Sequence, residues 1–306
     1  MWSQLLQQIQ QHQFKALARC ISLVENEASG YQDFLAQLPT ASNAAIIGVT
    51  GAPGAGKSTL TDALIDTFVT ANKRVGVLCI DPSSPFNLGA LLGDRIRMSS
   101  WYNHPNVFIR SLATRGSLGG LHPHIIEIIS VMQAAGFDYI IVETVGVGQS
   151  EIEIAGLADT TVVVVVPESG DEVQTMKAGL MEIADIFVVN KSDRADADIF
   201  VNNLRLMLAP TFTNTTWQAP IIKTVALQKQ GIDLLVNSIQ QHQQQLNNSD
   251  KKYWLLAEKA YQLIQQQRMK DINKQNLKAA IIEAHQSGHF NLFSFIHNID
   301  KFNLHV

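Results

Sequence analysis

Gly51-Ala52-Pro53-Gly54-Ala55-Gly56-Lys57-Ser58 fits the pattern G-x-x-x-x-G-K-[ST], and Thr59 follows it directly. Glycines at these positions let successive backbone N–H groups curl around a triphosphate. A helix opening at the same place adds positive partial charge. The Lys57 ammonium is placed to reach the β- and γ-phosphates, and the Ser58 hydroxyl to ligate Mg²⁺. The pattern carries this meaning only between a strand and a helix. Residues 46–49 form a compact apolar run and residues 59–69 have helical spacing, so the context is met. The stretch is a candidate nucleoside triphosphate site.

Asn190-Lys191-Ser192-Asp193 comes directly after another apolar run, 186–189. The Asp193 carboxylate can accept from both guanine N1–H and the 2-amino group. Adenine offers neither donor there and would leave the carboxylate unpaired, a heavily penalised mismatch. The Lys191 stem can pack along the base, and Asn190 can tie this loop to the phosphate loop. Thr224-Val225-Ala226-Leu227 comes at the end of the last predicted strand. GTPases commonly carry a Ser-Ala pair there, whose backbone meets the guanine oxygen. Valine replaces the serine, but an N–H contact from Ala226 survives that change. Val225, Ala226 and Leu227 therefore join the nucleotide candidates.

Glu143-Thr144-Val145-Gly146 closes the run 139–142 and matches D-x-x-G with glutamate in place of aspartate. Its carboxylate can hold Mg²⁺ directly or through water, and the Gly146 N–H can sense a γ-phosphate. Asp81, at the end of the run 75–80, and Asp94 are further acidic candidates. Magnesium keeps several waters and takes only one or two carboxylates. The three acids are therefore expected to exchange as the nucleotide changes, with Asp94 the one that moves. Arg97 and Arg115 either stabilise developing charge or pair structurally, and Gln149 is a candidate for orienting a water. His122-Pro123-His124, at i, i+2 spacing without a nearby cysteine, makes a poor closed metal site and is assigned to loop polar residues.

Positioning these groups needs strands that end together. Apolar runs at 46–49, 75–80, 107–109, 139–142, 161–166, 186–189 and 221–225 alternate with helix-length segments. Runs apolar on both faces suit parallel strands covered by helices, so a doubly wound α/β sheet is predicted. Before it, residues 3–38 place Leu5, Leu6, Ile9, Leu17, Ile21 and Val24 at helical spacing. After it, a glutamine- and asparagine-rich stretch, 240–250, is assigned to a solvated helix end or linker, and 251–285 return to helical spacing. The predicted division is 1–40 as a helical extension, 41–245 as the α/β domain and 246–306 as a C-terminal helical segment.

Composition narrows the partners. The 306 residues carry 23 Lys and Arg against 27 Asp and Glu, a net charge of −4, which argues against bulk nucleic-acid binding. The two cysteines, Cys20 and Cys79, have no pairing pattern, and the start of the chain lacks signal-peptide character. The purest apolar run, 162–166, is too short to span a bilayer. A soluble cytoplasmic protein with no membrane partner is expected.

Taken in order, the phosphate loop, Asp81-Pro82-Ser83-Ser84-Pro85, Leu91-Leu92-Gly93-Asp94-Arg95-Ile96-Arg97-Met98, Ala113-Thr114-Arg115-Gly116, Glu143-Thr144-Val145-Gly146-Val147-Gly148-Gln149-Ser150-Glu151 and Asn190-Lys191-Ser192-Asp193 resemble one family. It is the MeaB/ArgK family of P-loop GTPases, related to the human methylmalonic aciduria type A protein, and the resemblance spans about residues 44–232. It implies a SIMIBI-like P-loop GTPase fold with helical extensions, GTP/GDP and Mg²⁺ as ligands, and a homodimer using C-terminal helices. It implies as partner an adenosylcobalamin-dependent methylmalonyl-CoA mutase or related acyl-CoA mutase, whose cofactor loading is gated and whose activity is protected or restored. By motif, Lys57 and Ser58 would hold phosphate and metal, with Asp81, Asp94 and Glu143 as metal-side carboxylates. Gly170-Asp171-Glu172-Val173-Gln174-Thr175-Met176-Lys177 resembles the family's third switch, in which Gln174 and Lys177 would be repositioned by the mutase.

Three other functions compete. A nickel-insertion GTPase needs a cysteine/histidine motif close to the nucleotide, and Cys79 stands alone in its strand. A kinase linked to amino-acid transport, an older label for this family, lacks a kinase catalytic-loop signature here. A non-hydrolytic GTP-dependent scaffold would use Lys57 for binding alone.

Overall fold

Valine- and isoleucine-rich runs form strands here because both of their faces find cover. In the computed structural model they are β1 (Ala45–Gly51), β2 (Val75–Asp81), β3 (Val107–Ala113), β4 (Tyr139–Glu143), β5 (Thr160–Val165), β6 (Ile186–Val189) and β7 (Ile221–Lys223). The structure describes residues 1–39, 44–81, 98–114, 121–146, 153–167, 178–208, 217–246, 251–269, 272–286 and 290–298. The strands make one seven-stranded sheet in the order β3-β2-β4-β1-β5-β6-β7. Every ladder between them is parallel. The doubly wound prediction therefore holds.

Register sets what meets at the carboxyl ends. Val49 of β1 lies opposite Glu143 of β4, and Cys79 of β2 also lies opposite Glu143. Gly51, Asp81 and Glu143 thus leave the sheet along one edge, where the ligands of open α/β sheets bind.

Each face of the sheet has its own apolar layer. Helices α4 (Lys57–Thr70) and α8 (Ile232–Leu246) cover one face, with Leu60, Leu64, Phe68, Leu235 and Ile239 buried against Ile47, Val49, Val162 and Val164. Phe68 stacks on Tyr139 with ring centroids 3.9 Å apart. On the other face α7 (Ala197–Leu208) packs Phe200 and Leu204 against Val163 and Phe187. Helices α1 (Trp2–Gln10), α2 (Phe14–Glu25) and α3 (Tyr31–Ala36) pack against α5 (Ile125–Ala134). They bury the periodic positions Leu5, Ile9, Leu17, Ile21 and Val24. A short helix, α6 (Ala178–Ile183), precedes β6.

Two polar clusters add contacts that the sequence expectation does not contain. The first concerns His122 and His124. His122 is buried, with Nε2 3.7 Å from Glu25 Oε1, while His124 lies 3.4 Å from Glu27 and 3.1 Å from Glu127. Arg110 of β3 pairs with Glu25 and donates to Ser22 Oγ at 3.0 Å. The histidines are loop polar residues, as expected, and in addition form a strut that docks α2. The second cluster lies in the glutamine-rich stretch, which continues α8 to Leu246 and buries His242. His242 Nδ1 and Thr160 Oγ1 are 2.9 Å apart, and His242 Nε2 lies 3.2 Å from Asp185 Oδ1. Asp185 Oδ2 accepts from the Thr161 N–H at 2.9 Å. With Thr160 fully buried, the cluster clamps α8 to the amino ends of β5 and β6.

The chain divides into two compact units, Met1–Lys252 and Tyr253–Val306, and the N-terminal helices belong to the first. The second contains most of α9 (Lys251–Met269), together with α10 (Lys274–Gln286) and α11 (Leu292–His297). Leu255 and Phe295 are buried, while Trp254 and Phe293 are 62% and 80% exposed. Among the described residues, no helix is long and apolar enough to cross a membrane.

Candidate functional site

The phosphate loop leaves β1 at Gly51 and closes at Gly56, which has φ +90°. A Cβ on Gly56 would lie 2.4 Å from Asn190 Nδ2, so glycine is needed for both backbone conformation and close approach. Helix α4 begins at Lys57, and its first turns carry the candidate residues Lys57, Ser58 and Thr59. Lys57 Nζ donates to Gly51 O at 2.8 Å and to Ala52 O at 3.1 Å. The ammonium is thus held against the loop carbonyls. Ala55 is buried, Pro53 and Gly54 are exposed at the loop tip, and Thr59 is half-buried.

Ser58 Oγ donates to Glu143 Oε1 at 2.6 Å. Asp81 is buried at the neighbouring strand end. The structure thus brings the helix hydroxyl and two of the three predicted carboxylates to one sheet edge beside the phosphate loop. This donor set fits Mg²⁺, a hard cation that accepts few protein oxygens and keeps waters. Because Ser58 gives its proton to Glu143, its oxygen lone pairs are left for a cation. Among the described residues, no three His, Cys, Asp or Glu side chains are grouped to hold a metal. Asp94, Gln174 and Lys177, like Arg97, Arg115 and Gln149, lie outside the described residues.

Beyond Glu143 the chain stays tied to the phosphate strand. Thr144 N donates to Val49 O at 3.0 Å, and Thr144 Oγ1 donates to Thr50 Oγ1 at 2.9 Å. Gly146 has φ +83°, and a Cβ there would lie 2.4 Å from both Gly51 O and Lys57 Nζ. The D-x-x-G-like turn therefore rests on the phosphate loop.

Asn190 is the hub of the second loop. Its Nδ2 donates to Ala55 O at 2.9 Å, and its Oδ1 accepts from Thr224 Oγ1 and Ala226 N, each at 3.1 Å. Lys191, at φ +55°, sends its Nζ to Gly54 O at 2.8 Å. Ser192 donates through N and Oγ to Thr224 O, each at 3.1 Å. Asp193 is exposed beside these anchors. Val225 is buried and Leu227 is 85% exposed. The Ala226 N–H, expected to face a base, donates to Asn190, so any base contact there shares that donor. Thr61, Thr50, Thr144 and Thr224, to which the motifs assign no role, each hydrogen-bond into this edge. For Thr61 a signal exists, since it stands three residues after Ser58 on the same helical face.

A model of the family described as Methylmalonyl Co-A mutase-associated GTPase MeaB matches residues 17–281, from within α2 into α10. The chain belongs to the MeaB family. As a member it is a GTPase that binds guanine nucleotide, in keeping with the phosphate loop and the Asn190–Asp193 loop. A Pyrococcus abyssi protein that bears a GTPase name is 49% identical over 253 residues, covering 81% of this chain and 78% of that one. A Geobacillus kaustophilus protein named fused isobutyryl-CoA mutase is 37% identical over 228 residues, covering 70% of this chain. The matched part is only 21% of that larger protein. The crystal structure of a LAO/AO transport system kinase superposes with TM-score 0.63 at 26% identity, covering 98% of this chain and 96% of that one. The MeaB family's name carries mutase association with it.

Proposed function

We propose that this MeaB-family GTPase is a GTP-hydrolysing, homodimeric cytoplasmic chaperone of an adenosylcobalamin-dependent acyl-CoA mutase, methylmalonyl-CoA mutase first among them. It gates cofactor loading and protects or reactivates the mutase. The observation that carries this is the joint between Gly146 and the phosphate loop, which gives a nucleotide-state signal a physical route out of the site. The fused isobutyryl-CoA mutase supports a mutase partner, since its name joins a mutase to a chain with a MeaB-like stretch.

In this mechanism Lys57 exchanges the carbonyls of Gly51 and Ala52 for β- and γ-phosphate oxygens when GTP enters. Ser58 and Glu143, with Asp81 and Asp94 exchanging by nucleotide state, would hold Mg²⁺, which supplies charge neutralisation at the phosphates. Asp193 accepts from guanine N1–H and the 2-amino group, and Asn190 keeps the base loop in register with the phosphate loop. The Gly146 N–H faces the γ-phosphate, so attack by water and phosphate release free this turn and the segment beyond it. Gln174 and Lys177 are repositioned when the mutase binds. The exposed Trp254 and Phe293 support burial of the C-terminal helices against a second copy.

The test is GTP hydrolysis by the full chain, alone and with purified methylmalonyl- or isobutyryl-CoA mutase, with size-exclusion chromatography of the mixtures. A mutase is expected to accelerate turnover and co-elute. Unchanged turnover and no complex with either mutase would sink the chaperone function, while loss of turnover in Lys57→Ala checks the assignment of the site.

A further inference from the structure

Two of the four threonines of helix α4 stand in different circumstances. Thr67 does what a helical threonine commonly does, donating its hydroxyl to the carbonyl one turn back, Ala63 O, at 3.0 Å. Thr61 donates instead to Glu143 Oε2 at 2.8 Å, and it is fully buried. Ser58, three residues earlier, donates to the other oxygen of the same carboxylate at 2.6 Å. The two hydroxyls stand on one face of the helix and grip Glu143 from both sides.

This grip answers a problem posed by the glutamate itself. At the end of β4 the D-x-x-G pattern has Glu143, one methylene longer than aspartate and freer by one rotatable bond. A carboxylate that helps hold a cation must be kept in one orientation. Ser58 cannot do this alone, because its oxygen is itself a candidate ligand and its bond must adapt when a cation arrives. Thr61 has no such second duty and sits where the longer side chain ends.

We infer that Thr61 is a positioning residue for the metal site: it locks the Glu143 carboxylate so that Ser58 and Glu143 present their oxygens to Mg²⁺ together. This inference rests on the assignment of Ser58 and Glu143 as the metal-side groups. Thr61 touches neither nucleotide nor metal and acts only through Glu143.

The experiment measures dissociation of fluorescently labelled GDP from the full-length protein across a Mg²⁺ titration. Thr61→Val keeps the shape and removes the hydroxyl. It is expected to raise the Mg²⁺ concentration for half-maximal retention roughly tenfold, the scale of one hydrogen bond to a charged group. Retention in excess chelator should be unchanged, and Thr61→Ser should restore the midpoint to within about threefold by keeping the donor. A folded Thr61→Val protein with the parent's Mg²⁺ midpoint would overturn the inference. If Thr61→Val does not fold, Thr61→Cys against Thr61→Ser makes the same comparison, since a thiol is a weak donor. Equal midpoints for that pair would likewise overturn it. Should the parent protein retain GDP equally with and without Mg²⁺, the metal assignment itself fails, a result distinct from failure of Thr61's role.

Discussion

Replacing Asn190 with alanine should uncouple the phosphate loop from the Asn190–Asp193 loop, the two loops proposed to hold the nucleotide. The side chain is 3% exposed and makes three hydrogen bonds, to Ala55 O, Thr224 Oγ1 and Ala226 N. At roughly 0.5–1.5 kcal/mol net for each, their loss totals about 3 kcal/mol, with the buried groups left behind pushing the value up. For a unit of this size each kcal/mol moves the melting temperature by about 2–4 °C, so a fall of about 6–12 °C is expected. Asn190 Nδ2 also packs where a Cβ on Gly56 would stand, so its removal loosens the last turn of the phosphate loop. GDP affinity should therefore drop at least about tenfold, or ~1.4 kcal/mol. Asn190→Asp should do no better than alanine, because its second oxygen would face Ala55 O. Thermal unfolding followed by circular dichroism and titration with labelled GDP measure both effects. A melting temperature within about 2 °C of the parent, together with unchanged GDP affinity, would refute the hub argument.

Other consequences are equally open to measurement. Asp193→Asn should weaken GTP binding about 10- to 100-fold, the worth of a charge-assisted hydrogen-bonded pair, and leave ATP binding unchanged. Equal affinity of the parent for ATP and GTP would defeat the guanine assignment. His242→Leu strips the buried Thr160 and Asp185 of a partner and should lower stability in urea by about 2–4 kcal/mol, with α8 the first element to lose hydrogen-exchange protection. Burial pushes the Cys20 thiol from 9.0 up to about 12. The folded state then keeps its proton where the unfolded chain loses it, so this contribution is intact below pH 9 and is lost as pH rises through the folded value. Between pH 8 and pH 10 the parent should lose about 1.4 kcal/mol more stability than Cys20→Ala, measured by urea unfolding at each pH. Equal losses would contradict the burial argument.

How far the sequence could be read depended on how far along the chain each interaction reaches. All seven apolar runs are strands, and six of them change at one or both ends, while 186–189 keeps its bounds. The run 107–109 extends to Ala113 because Arg110, which interrupts the apolar pattern, is paired with Glu25. The run 221–225 stops at Lys223 because Val225 turns into an antiparallel bridge with Gln230. The phosphate loop and the Asn190–Asp193 loop were legible because their residues are adjacent and the backbone does much of the work. The ion pairs of the histidines were not legible because their partners, Glu25 at the end of α2 and Glu27 just beyond it, lie about a hundred residues away, where no local pattern advertises them.

From its order of residues alone, this chain determined a parallel α/β sheet, a phosphate-loop motif at the end of its first strand and an Asn-Lys-Ser-Asp loop after its sixth. Each follows from periodicity or from a contiguous motif whose conformation is set by neighbours in sequence. Only the tertiary structure decided that Thr61 grips Glu143 and that His242 clamps Thr160, for each pair is 82 residues apart in the chain. Those contacts exist because helices packed on the sheet bring distant residues to the strand ends, where a buried polar group is costly unless it is hydrogen-bonded.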